Sequence, residues 1–119
     1  MAKSVTVLCA DRSPRRLASL SRALNEAGYS VLLADSAAHS IALCADYKPD
    51  AAVLDEDLLC VDQWSVAEQF HLVSARTRIL VTVEVVESWK PLPAFVHATT
   101  PRGDPAQAVS IIRELLRKK

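Results

Sequence analysis

Carboxylates dominate the polar chemistry that this chain could perform. Asp55-Glu56-Asp57 places three acids in a row directly after the apolar run Ala51-Ala52-Val53-Leu54, and Asp11, with Arg12 beside it, follows a second apolar run, Val5 to Ala10. An aspartate in such a place can act as a nucleophile or help to hold a metal ion, and either use requires neighbours that manage its charge. Thr82 closes a third apolar run, Ile79-Leu80-Val81, and Thr99-Thr100 follow a weaker one, Ala94 to Ala98. His97 lies at the end of that last run. Trp89 precedes Pro91-Leu92-Pro93 in a stretch whose pattern falters.

The apolar runs are the elements that must position these groups. Val5 to Ala10, Val31 to Leu33, Ala51 to Leu54, Ile79 to Thr82 and Ala94 to Ala98 read as strands. Between them lie segments with apolar residues at helical spacing. Ser13-Pro14 opens the first helix as N-cap and first helical residue, Leu17, Leu20, Leu24 and Ala27 line its face, and Gly28 ends it. Ser36 caps a second helix carrying Ile41 and Cys44, and Pro49 follows its end. A third helix is predicted from Gln63 to about Val73, and Asp104-Pro105 opens a last one with Val109, Ile112 and Leu116 on one face. His39 and His71 fall on predicted helices, at the surface. Glu84 to Pro93 has room for a short helix that Pro91 and Pro93 cut off. Strands apolar on both faces that alternate with amphipathic helices imply a parallel sheet covered on both sides. In such sheets, functional groups gather at the carboxyl ends of the strands, where Asp11, Asp55, Thr82 and Thr100 fall.

Composition narrows the functions. With 119 residues the chain can build one core. Lys plus Arg and Asp plus Glu number 14 each, so the formal charge is zero and nothing favours nucleic acid or an acidic membrane. No apolar run approaches the roughly 20 residues of a membrane span. Three scattered cysteines, Cys9, Cys44 and Cys60, form no C-x-x-C pair, which argues against a disulfide scaffold or zinc site and for a reducing cytoplasm. The opening residues lead straight into a strand pattern rather than a signal peptide. Two glycines, Gly28 and Gly103, are too few for a glycine-rich phosphate loop.

The whole chain, residues 1–119, resembles the receiver domain of two-component response regulators. The resemblance rests on Ser13-Pro14-Arg15-Arg16, Gly28-Tyr29, Lys48-Pro49-Asp50-Ala51-Ala52-Val53-Leu54-Asp55, Ile79-Leu80-Val81-Thr82 and Pro101 before the last helix. It implies a flavodoxin-like (CheY-like), doubly wound, five-stranded parallel sheet of order 2-1-3-4-5, here with the fourth helix shortened or absent. It also implies a phosphoacceptor at Asp55, a phosphate-contacting hydroxyl at Thr82, an acidic magnesium-binding pair at positions 11 and 12, a lysine at position 100, a switching aromatic at position 97, and a cis bond between Thr100 and Pro101.

The sequence departs from that pattern where magnesium and phosphate would be held. Arg12 replaces one acid by a permanent cation, Thr100 replaces the lysine, and Asp57 adds a carboxylate beside Asp55. A cation near 4 Å from a carboxylate is worth up to roughly 4 kcal/mol at an effective dielectric near 20, before desolvation. Arg12 is therefore expected to neutralise the Asp11/Asp55 cluster in place of a metal, which leaves magnesium doubtful; Asp11 and Asp55 are the ligands if it binds. The function implied is a non-enzymatic signalling module in the cytoplasm, acting through a protein partner or a second copy. The expected surface is the remodelled fourth helix, fifth strand and last helix, with Trp89 and His97 on or near it. The alternatives are a genuine phosphorelay receiver and, remotely, a small phosphatase, since Asp55-Glu56-Asp57 resembles the D-x-D motif of haloacid-dehalogenase enzymes.

Overall fold

The computed structural model describes residues 4–61 and 64–117. Five parallel strands form its main sheet: β1 (Thr6–Ala10), β2 (Ser30–Ala34), β3 (Ala51–Asp55), β6 (Arg78–Val83) and β7 (Ala98–Pro101), in the spatial order β2-β1-β3-β6-β7. This is the predicted 2-1-3-4-5 order. A two-residue pair, β4 (Cys60–Val61) and β5 (Trp64–Ser65), sits apart from the sheet.

The strands alternate strictly between two cores. Leu8, Ala10, Ala52, Leu54, Ile79 and Val81 face α2 (Ala37–Tyr47) and α3 (Val66–Val73), where Phe70 and Leu58 are fully buried. Val7, Cys9, Ala51, Val53 and Leu80 face α1 (Pro14–Glu26) and α4 (Pro105–Arg117), packing on Leu20, Leu24, Val109 and Ile112. The period of two thus serves both faces at once, which is why the strands read as unbroken apolar runs. Cys9 and Cys44 are free thiols inside these cores, and burial pushes both thiols up from their ordinary range.

Local signals set the helix ends. Ser13, Ser36 and Ser65 each accept a hydrogen bond from the backbone N–H three residues on, so the third helix begins at Val66, later than Gln63. Gly28, at φ 97°, closes α1: Tyr29 N–H reaches the Leu24 carbonyl and Gly28 N–H that of Asn25. The fourth helix is reduced to a single 3₁₀ turn, Val86–Trp89.

Two expectations near the last strand fail for one reason. The strand spans Ala98–Pro101 rather than Ala94 to Ala98, because Phe95 turns the chain at φ 69°, its ring stacked on His71 at 4.3 Å. Pro101 is therefore still in the ladder, opposite Val83, and the Arg102 N–H donates to the Val83 carbonyl. Such continuous pairing keeps the chain extended, so Thr100-Pro101 is trans; the cis bond lies at Lys90-Pro91.

His97 sets the entry to β7. Its backbone N–H donates to the Ile79 carbonyl and its Nδ1 accepts the Ile79 N–H at 2.9 Å. Partial desolvation of this exposed residue's ring, then the charges of Arg78 and His71, hold the imidazole below its usual 6.5. Because the folded value is lowered, the contribution of neutral His97 is complete above 6.5 and is lost as pH falls through the folded value. Thermal melting from neutral pH to about pH 5 should therefore fall less steeply in His97→Gln than in wild type; identical slopes would show that the ring does not titrate with folding.

Candidate functional site

β1, β3, β6 and β7 end at one edge, and their register places Asp55, Thr82 and Thr100 in a row across it. Asp55 is 1% exposed, so its charge has to be met by protein. Arg102 meets it with a parallel fork: Nε donates to Oδ1 and Nη2 to Oδ2, both at 2.8 Å. The Thr82 hydroxyl donates to Oδ1 at 2.9 Å and the Asp57 N–H to Oδ2 at 3.2 Å. Each carboxylate oxygen thus accepts from two donors. Burial alone would raise this carboxyl, but the bonds from Arg102, Thr82 and Asp57 and the Arg102 charge outweigh it and hold Asp55 below 3.8. Its contribution to stability is complete above 3.8 and is lost only as pH falls through the lowered folded value. Arg102 shifts upward through its bond to Asp55, against the opposing effect of burial.

A second fork lies beside the first. Asp11 is buried just past β1, and its Oδ1 accepts the Ser13 N–H at 2.8 Å, which fixes the turn into α1. Arg16, in the first turn of α1, donates from Nε to Oδ2 and from Nη2 to Oδ1 of Asp11, both at 2.9 Å, and its Nη2 lies 3.7 Å from Asp55 Oδ2. The bond to Asp11 raises the Arg16 pKa.

Arg12 is not part of this cluster. It is exposed, with no hydrogen bond or ion pair to any described residue. Successive residues leaving a strand project to opposite sides, so with Asp11 turned inward Arg12 faces solvent. The expectation that Arg12 neutralises the acids is corrected: Arg16 and Arg102 do so. Sequence reasoning missed both. Arg102 lies two residues beyond Thr100 and so on the same side of the extending strand, a signal available only once the strand is known to reach Pro101.

Of the other predicted residues, Asp57 joins the cluster at its exposed rim, with Oδ2 at 2.9 Å from Arg102 Nη2. Thr100 is buried, and its Oγ1 has no hydrogen-bond partner among the described residues. His97 lies at the far end of β7 from the cluster. Trp89 is half-buried: with Val86 it packs against the α2/α3 core, and its Nε1 donates to Glu56 Oε1 at 3.2 Å. Glu56 Oε2 accepts the Glu84 N–H at 2.6 Å and lies 3.7 Å from Arg102. The rebuilt segment is thereby tied to the residue after Asp55.

The site does not fit magnesium. The ion requires carboxylate oxygens turned toward it, whereas both oxygens of Asp11 and of Asp55 are engaged by guanidinium groups and the second acid of the pair is an outward-facing arginine. Among the described residues, no group of three metal-ligating side chains is gathered.

No protein-family model matches the sequence, and no curated protein does. Solved structures do match. A CheY-like response regulator receiver domain from Methanospirillum hungatei JF-1 superposes with a TM-score of 0.82 at 20% identity, over 98% of this chain and 96% of its own. A response regulator from Desulfuromonas acetoxidans gives 0.84 at 10% identity, over 95% and 97%. The receiver domain of a sensor histidine kinase from Pseudomonas aeruginosa PAO1, with magnesium coordinated in its active-site cleft, gives 0.81 at 15% identity, over 98% and 100%.

The chain has the receiver fold. Asp55 and Thr82 stand side by side at the ends of β3 and β6, and the fork on Asp55 comes from Arg102, two residues past Thr100.

Two outcomes follow for stability, read by denaturant unfolding. Arg102→Ala leaves Asp55 buried without its fork and should cost roughly 2–4 kcal/mol, the partial exposure of Arg102 moderating the figure for a fully buried pair, whereas Arg12→Ala should stay within about 0.5 kcal/mol of wild type. Equal losses would return Arg12 to the cluster. Thr100→Val removes a buried hydroxyl without a partner and keeps its shape, so it should stabilise by about 1 kcal/mol; a loss of that size would mean that the hydroxyl is bonded in solution.

Proposed function

We propose that this chain is a receiver-like signalling module that works by protein–protein contact without phosphoryl transfer. The observation that carries this reading is the saturation of Asp55: four donors occupy its two oxygens. A carboxylate attacks phosphorus through a free lone pair, and donors that stabilise its anion weaken it as a nucleophile. Metal normally neutralises the charge that develops in such transfer; here two arginines fill that region and cannot orient phosphoryl oxygens around a shared ion. The phosphatase alternative is weakened by the same contact, because Arg102 also binds Asp57, the acid that such an enzyme would use to protonate its leaving group.

The partner surface is the rebuilt one: the segment from Glu84 to His97 with β7 and α4. Val85, Leu92 and Phe95 are exposed apolar residues on it, and the zero formal charge of the chain gives it no electrostatic bias toward nucleic acid. A protein or a second copy of the chain is the occupant proposed, in the cytoplasm.

Melting temperatures in EDTA and in millimolar magnesium should coincide, since a ligand that does not bind the folded state shifts nothing. Intact-mass spectrometry after incubation with acetyl phosphate and magnesium should show no addition. Rapid, near-complete addition that disappears in Asp55→Asn would establish the phosphorelay reading instead.

A further inference from the structure

Beside the clamp, a cleft of about 190 Å³ opens between α1 and the turn that enters α4. Arg15, Arg16 and Arg102 line it, and Leu20, Pro105 and Ala108 give it apolar walls. We infer that this cleft is a binding site for a small organic carboxylate with a compact apolar body. The inference rests on the closed clamp, because Arg102 must be held on Asp55 to form the wall.

The donors argue for the anion. Arg16 engages Asp11 through Nε and Nη2, and Arg102 engages Asp55 through the same two atoms; the Nη1 group of each makes no hydrogen bond to a described residue. Arg15, exposed at the rim, has no hydrogen bond or ion pair to any described residue. Two aspartates also line the cleft, but Asp11 is neutralised by Arg16, and Asp104 accepts the Gln107 N–H at the start of α4. With Arg16 committed to Asp11 and Arg102 to Asp55 and Asp57, Arg15 is the lining cation with no carboxylate partner among the described residues, and a carboxylate can pair with it.

The walls argue for the apolar body. Inorganic phosphate would lose water against Leu20, Pro105 and Ala108 and gain no hydrogen bond from them. The volume lies below the roughly 300–1,000 Å³ of sites for drug-sized ligands, so the occupant has on the order of ten heavy atoms. A ligand that small binds in about the millimolar range.

The probe is benzoate, titrated into the isotopically labelled chain at constant ionic strength and followed by amide NMR, with benzyl alcohol and inorganic phosphate as controls. Saturable shifts at Ser19, Leu20 and Ala108 with benzoate, at least about tenfold weaker with either control, support the site. Arg15→Gln should weaken benzoate about tenfold, and Ser19→Phe, at an exposed position lining the cleft, should abolish binding; neither residue belongs to the clamp. Absence of saturable shifts, equal binding of either control, or benzoate affinity unchanged in both variants overturns the proposal. Failure of the phosphorylation-independent reading would appear elsewhere, as acetyl phosphate addition or magnesium-dependent melting, so the two outcomes are separable.

Discussion

The buried carboxylate of Asp55 is the constraint around which the rest of the site is arranged. A charge 1% exposed at the end of the central strand cannot stand alone: desolvation alone would force it to take up a proton or drive the fold apart. The fork from Arg102 removes that cost, and it dictates position as well as charge. To reach Asp55 from β7, Arg102 must leave the sheet on the same side as Thr100, and the Val83–Pro101 pairing that holds this register also keeps the Thr100-Pro101 bond extended and trans. Arg16 then serves Asp11 from the other flank, so two acids and two guanidinium groups close the strand ends together.

The rebuilt segment after β6 follows from the same cluster. Glu56 immediately follows Asp55, and with its neighbour bound by Arg102 its side chain is left to face β6. It accepts the Glu84 backbone N–H with one oxygen and the Trp89 indole N–H with the other. That pair of bonds sets where the chain leaves the sheet and where Trp89 lands. Val86 and Trp89 consequently cover the α2/α3 core with a single 3₁₀ turn.

The fold was legible because its signals are local and repeated. Unbroken apolar strands, serine caps at Ser13 and Ser36 and the glycine at position 28 all agree with one topology. The row Asp55, Thr82, Thr100 was legible as well, since strand ends converge in any sheet of this kind. The cations were not. Arg12 is the expected cation because it stands in the place of the pair's second acid, at the same sheet edge as Asp55, yet successive residues at a strand end take opposite faces, whereas Arg16 comes back to Asp11 only through the first turn of a capped helix. Arg102 was hidden by a boundary error of three residues: with the last strand ended at Ala98 it reads as loop, and only a strand that continues to Pro101 puts it on the Thr100 side.

The guanidinium fork decides what the site can respond to. It carries its charge at all relevant pH values and covers both oxygens of Asp55 with one rigid group, so the arrangement depends on no solute. A buried pair of this kind is weak evidence for added stability, because apolar residues of the same volume can do as well. Its consequence is therefore better sought in geometry. Thr82, which could otherwise turn away from the strand end, is drawn onto Asp55, and Glu56, beside the same fork, holds the segment carrying Trp89. The surface presented by that segment is thus specified by charges within the chain itself.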